Sequence, residues 1–244
     1  MMKKTLIASA LLAASTGALA EISGNVALVS DYAFRGVSQT DEQIAIQGGF
    51  DYAHESGLYV GTWASNVDST FFGGARDPQI ELDIYAGYAG EMANGIGYDL
   101  GILRYVYPGG DQSGFDVDTT ELYVSGSMAG FTVSLNYSDE LAFIGSTESA
   151  WYLAAGYEMT LPWYEIGLSA HVGHNFGDAY DVSPSAPPGV SGLPDSYTDW
   201  SIGLTKSVAG VDLGLTYVDS DGDDVNMFGD LADSRIVLSV SKSL

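Results

Sequence analysis

The sequence predicts an all-β chain closed into an antiparallel transmembrane β-barrel of about twelve strands, with short periplasmic turns and longer extracellular loops. Three observations predict it. Apolar and polar residues alternate along almost the whole chain, and short and long connections strictly take turns. Beyond the first twenty residues, no stretch approaches the roughly 18 continuous apolar residues of a membrane-crossing helix.

The first element is a leader. Lys3 and Lys4 precede an apolar run from Thr5 to about Ala14, and Ala18-Leu19-Ala20 closes it with small residues. This is the layout of a secretory signal peptide, so residues 1–20 are expected to be cleaved and residues 21–244 to form the barrel domain. Read as an anchor, the run is too short to cross about 30 Å of hydrocarbon.

Alternating segments follow at 22–36, 44–55, 58–67, 79–92, 96–107, 119–130, 131–141, 148–160, 163–176, 197–209, 211–219 and 233–244. In Ile80-Glu81-Leu82-Asp83-Ile84-Tyr85-Ala86 the apolar residues hold even positions and the acids odd ones. A strand sends successive side chains to opposite faces, so this segment has one oily face and one polar face. Residues 131–137, 164–172 and 235–240 repeat the rule. Short turns fall near Gly57, Gly95, Gly130, Pro162 and Gly210, while long polar connections fall at 37–43, 68–78, 110–118, 142–147, 177–196 and 220–232. Both termini then lie on the short-turn side, as in outer-membrane barrels. Closure is needed because an open sheet edge in lipid leaves backbone N–H and C=O groups unpaired. A soluble β-sandwich, the alternative, has strands of about 5–6 residues and no reason to alternate its loop lengths.

The aromatic residues follow the same layout. With the apolar parity outward, Tyr32, Phe34, Trp151, Trp200 and Tyr217 fall near the long-loop ends. Phe50, Tyr52, Tyr88, Phe131, Tyr157 and Tyr164 fall near the short-turn ends, with Leu28, Leu135, Leu153, Leu168 and Leu204 between. Two aromatic rings flanking an aliphatic band match two membrane interfaces.

Composition removes other classes. The 244 residues carry 32 acids, 8 bases and no cysteine, a formal net charge of −24. Such a chain lacks the clustered bases that replace counterions on nucleic acid. Without cysteine there are no disulfides, zinc ribbons or thiol nucleophiles. Asp219-Ser220-Asp221-Gly222-Asp223-Asp224 is dense in carboxylates but lacks calcium-loop spacing. His171 and His174, three apart in a strand, point to opposite faces. A twelve-stranded Ser–His–Asn lipase is the enzyme rival. His174 has the lipid-facing parity it requires, but no spacing supplies the partners. Neither cofactor, resident metal nor enzymatic activity is expected.

The inward parity carries the candidate site. Asp31, Arg35, Glu81, Asp83, Glu121 and Arg235 fall near the outer mouth, with Asp51, Asp99, Glu165, His171 and Asp212 elsewhere in the lumen. Strand one runs outward to Arg35 and the last strand runs inward from Arg235, so closure predicts the two arginines side by side on one wall. Glu81, Asp83 and Glu121 lie at a similar height on another wall. A basic patch facing an acidic one would place a transverse field across an eyelet, and charged rings set ion selectivity. The competing arrangement is a closed arginine–carboxylate network that blocks the lumen. The acid excess favours cations or neutral solutes.

The stretch Val29-Ser30-Asp31-Tyr32-Ala33-Phe34-Arg35-Gly36-Val37-Ser38-Gln39-Thr40 resembles the opening motif of the TorF-type porin family, the Gcw_chp group of conserved outer-membrane proteins. Residues 57–66, 81–88, 120–123 and 235–244 are similar to later pieces of that family, so the resemblance spans the mature chain. It implies a pore in the bacterial outer membrane and settles no substrate; the partners expected of such a barrel are small polar solutes, lipid, lipopolysaccharide and the barrel-assembly machinery. It assigns no residue a role. One departure is the last residue, Leu244, where such barrels often end in an aromatic. The alternative role is a closed barrel serving adhesion or envelope integrity, with loops 177–196 and 220–232 as its working surface.

Overall fold

The computed structural model describes residues 20–72, 78–110, 117–144, 146–162, 164–180, 196–222 and 228–244. Apart from Ala20, the expected leader lies outside these residues, as do Asp223 and Asp224 of the acidic loop and most of the 177–196 loop. The strands are β1 (Glu21–Val29), β2 (Ala33–Phe34), β3 (Val37–Ser38), β4 (Ala45–Ala53), β5 (Leu58–Asn66), β6 (Ile80–Glu91) and β7 (Gly97–Val106). They continue as β8 (Thr119–Met128), β9 (Phe131–Ser138), β10 (Ala150–Leu161), β11 (Ile166–Phe176), β12 (Ser196–Val208), β13 (Val211–Ser220) and β14 (Arg235–Ser243).

Strands β1 and β4–β14 form a closed antiparallel barrel of twelve strands, each hydrogen-bonded to its chain neighbours. Asn25↔Ser243 through Val29↔Ser239 join β1 to β14 and close it. The short turns fall where the alternation placed them. Ala129 and Gly130 have φ of 53° and 88°, and Ala209 and Gly210 have 52° and 86°. Two positive φ values in a two-residue loop are the type I′ geometry that matches strand twist. A Cβ on Gly130 would stand 2.5 Å from the Glu158 carbonyl oxygen, so only glycine fits there.

The outer face is apolar. Leu168, Leu204, Leu215 and Leu238 pair in register across β11–β14 as one outward row. Outward aromatics pair at both ends of the barrel. Tyr137–Trp151 and Trp200–Tyr217 lie toward the long loops, and Tyr88–Tyr98 and Phe131–Tyr157 lie toward the short turns.

One expected strand differs. The first stops at Val29 rather than continuing to residue 36, and Tyr32 and Phe34 are inside the barrel rather than in the outer aromatic ring. The cause is local. Asp31 Oδ1 accepts hydrogen bonds from Ser38 Oγ at 2.6 Å and Thr40 Oγ1 at 3.0 Å, and Gln39 N–H donates to the Tyr32 carbonyl at 2.7 Å. Such side-chain bonds compete with a strand ladder. Arg35 and Gly36 then reverse the chain with φ of 48° and 83°, pairing β2 with β3 as a small hairpin.

Candidate functional site

That hairpin folds into the outer half of the lumen, and the candidate site is built around it. From the wall, Arg235 Nη1 donates to Asp31 Oδ2 at 3.0 Å and anchors the hairpin base. At the tip, Arg35 reaches β8, where its Nη2 donates to both Glu121 oxygens at 2.8 Å each. Tyr105 Oη and Asn136 Nδ2 also donate to Glu121, both at 3.2 Å. The Arg35 guanidinium lies over the Tyr152 ring, 4.1 Å from its centroid. Burial by itself disfavours the Arg35 charge. The Glu121 carboxylate outweighs burial and raises the pKa.

Tyr32 and Tyr107 donate to the two Glu81 oxygens at 2.7 and 2.6 Å. Burial, then the charges of Glu81 and Asp83, raise the Tyr32 pKa well above its ordinary value, so the hydroxyl stays a donor. Gly36 seats the tip against β12 and β13. A Cβ there would lie 2.7 Å from Ser220 Cβ and 2.8 Å from Asp199 Cβ, at a φ that disfavours side chains. Over the hairpin lies a layer of rings in which Phe71 stacks on Phe228, Phe72 meets Tyr107, and Tyr197 meets both Tyr180 and Phe228. The outer half of the barrel thus resembles a protein core, with Arg35, Arg235, Glu81 and Glu121 each paired at hydrogen-bond distance.

The family described as "Bacterial protein of unknown function (Gcw_chp)" matches residues 13–244. The chain belongs to the Gcw_chp family. No curated protein matches it. Among solved structures, a KdgM porin is similar with a TM-score of 0.54 at 7% identity, over 91% of this chain and 99% of that one. A KdgM porin "in complex with disordered oligogalacturonate" gives 0.53 at 8% identity, over 91% and 98%. A NanC porin gives 0.52 at 9% identity, over 91% and 98%. At these identities the likeness is one of fold.

Within this Gcw_chp barrel the expected pairing of Arg35 with Arg235 on one wall is corrected. Arg35 is on the hairpin, not on β1, because β1 has already ended. The two arginines serve separate carboxylates, Glu121 and Asp31, so no open basic patch faces Glu81, Asp83 and Glu121. Glu165 is also corrected. It sits exposed in the turn before β11, with φ of 51°, instead of lining the lumen. Below the hairpin, Asp51 accepts from Tyr85 Oη and Asp99 from Tyr59 Oη, each at 2.6 Å, and Tyr59 also meets the Tyr123 hydroxyl. His171 Nε2 lies 2.8 Å from Tyr152 Oη and 3.2 Å from Asp199 Oδ1. Asp212 accepts from Ser207 Oγ.

The lumen tyrosines and Asp199 are absent from the sequence-derived set. A signal for some of them is present. Tyr59-Val60-Gly61 runs against Tyr85-Ala86-Gly87, so each tyrosine pairs with a glycine: Tyr59↔Gly87 and Gly61↔Tyr85. A Cβ on either glycine would run into the opposing tyrosine. The glycines leave room for the rings to lie along the wall and present hydroxyls to Asp51 and Asp99.

Proposed function

We propose that this protein is an outer-membrane channel of the TorF porin type for passive diffusion of small hydrophilic solutes. Cations and neutral molecules are favoured, and the infolded hairpin sets the bore. In this reading residues 1–20 are a cleaved signal, and the long loops face lipopolysaccharide. The observation that carries it is the reversal of polarity across the wall: leucines outside, carboxylates inside. Isoleucine, leucine and valine exposed on ten or more strands suit acyl chains, whereas water would penalise so large an apolar surface.

Two tests follow. Leu238, outward and 55% exposed, belongs to the leucine row. Leu238→Arg is expected to destabilise the barrel by about 2–4 kcal/mol in urea unfolding from lipid vesicles, the cost of a base near the bilayer midplane. A change near zero contradicts a lipid-facing belt. In planar bilayers under a salt gradient, the reversal potential is expected to have the sign of cation selectivity, because lumen acids outnumber the two paired arginines. Anion selectivity sinks the preference. The oligogalacturonate bound by the similar KdgM porin is a polyanion, and this lumen is poorly suited to one.

The packed outer half favours a second reading, a closed barrel in a structural or adhesive role. Conductance separates the two, since a closed barrel gives no steps.

A further inference from the structure

Among the described residues, the buried carboxylates are Asp31, Glu81, Asp83, Asp99, Glu121 and Asp199. Five have donors on the page: Arg235 and two hydroxyls for Asp31, two tyrosines for Glu81, Tyr59 for Asp99, Arg35 for Glu121, and Tyr152 for Asp199. Asp83 differs. It is only 9% exposed, and its Oδ1 is sealed from solvent without any hydrogen-bond partner. The charges of Glu81 and Glu121 bear on it, so its surroundings are negative. Among the described residues, Arg35 and Arg235 of the outer lumen are already committed elsewhere. A buried carboxylate left bare among other carboxylates costs several kcal/mol unless a proton or a cation joins it, and the two compete for the same oxygen.

We infer that Asp83 binds a monovalent cation from solution and is the selectivity-determining step of the pore. The neighbours suit that ligand. On the lumen face, register sets Asp83 directly between Trp63 on β5 and Tyr105 on β7. Aromatic faces attract cations, most strongly where water is excluded. The hairpin's Tyr32 and Phe34 pack edge-on against those same two rings, at 5.4 and 5.8 Å between centroids. The cation therefore sits where the hairpin meets the acidic wall. A single carboxylate with ring neighbours binds loosely enough to let an ion leave, as conduction requires.

The inference rests on the channel reading in one readout and stands free of it in another. In bilayers under a KCl gradient, Asp83→Asn is expected to lower the K⁺/Cl⁻ permeability ratio several-fold. Glu55→Gln, an exposed acid in a short turn, should leave the ratio unchanged. In urea unfolding, potassium chloride should raise the wild-type midpoint above that in choline chloride at equal ionic strength, because a ligand of the native state stabilises it. Asp83→Asn should abolish that difference. The variant removes a charge that has no protein partner at Oδ1, so it should fold, and the heat-modifiable band of a folded barrel checks this. Unchanged permeability ratio and unchanged potassium dependence together overturn the inference. A wild type that conducts nothing sinks the channel reading, and the potassium arm then decides Asp83 alone.

Discussion

Replacing residues 31–43 with a two-residue Asn-Gly turn is expected to raise single-channel conductance several-fold in planar bilayers. The segment joins β1 to β4, which are adjacent in the barrel and paired up to Val29↔Ala45. A tight turn can therefore bridge them without disturbing any other strand. Removing the segment withdraws Tyr32, Phe34, Arg35 and Val37 from the outer lumen, where Tyr32 and Val37 are among the most buried residues of the chain. What remains at that height is wall: Glu81, Asp83, Tyr105, Glu121 and Tyr152. The three carboxylates Glu81, Asp83 and Glu121 would lose hairpin partners or neighbours and become hydrated, so cation selectivity should persist or grow as the bore widens. A liposome swelling assay with graded neutral sugars should show a matching rise in the size limit. Conductance unchanged by the deletion would mean that the hairpin does not set the bore, and that the rings above it or the opposite wall close the barrel independently.

How far the sequence anticipates this arrangement depends on what each pattern measures. Period-two alternation reports which face a side chain takes, and with the loop lengths it predicts twelve strands and their direction. It does not report where a strand stops. Alternation continues past Val29 through Asp31, Ala33 and Arg35, yet the strand ends because Ser38 and Thr40 bond back to Asp31, seven and nine residues away. The same blindness misplaces Glu165. Its parity is correct for the lumen, but the strand begins one residue later, at Ile166. The carboxylates of β4, β6, β7 and β8 were legible because they sit inside clean alternation. Their tyrosine partners were not, since Tyr59, Tyr85 and Tyr123 gain meaning only when register sets each beside a glycine. Register is a property of strand pairs, and no single segment carries it.

Arg35→Ala should loosen the hairpin by about 3–5 kcal/mol, because it strands Glu121 as an uncompensated buried charge. Glu121→Gln should cost a similar amount, now by stranding Arg35, which also loses the partner that offsets its burial. Removing both as Arg35→Met with Glu121→Gln should recover most of that loss. Neither position then carries a charge, and methionine still fills the space over Tyr152. The readout is hydrogen exchange at Gln39, whose N–H bonds to the Tyr32 carbonyl, and at Asp68, whose N–H bonds to the Gln39 carbonyl. Protection there should fall on the order of a hundredfold or more in each single variant, and far less in the double. Amides of β10–β12 toward the short turns, away from Tyr152 and Asp199 where the hairpin touches them, should keep theirs, because the wall is held by its own pairing and only the hairpin opens. Strict additivity of the two single variants would show that the ion pair does not hold the hairpin. The remaining ties, Asp31 with Arg235 at the base and Gly36 against Asp199 and Ser220 at the tip, would then have to do so. Loss of the ion pair with the barrel intact would assign the rigidity to the strands and the seating of the segment between β1 and β4 to its side-chain ties, Arg35 with Glu121 first among them.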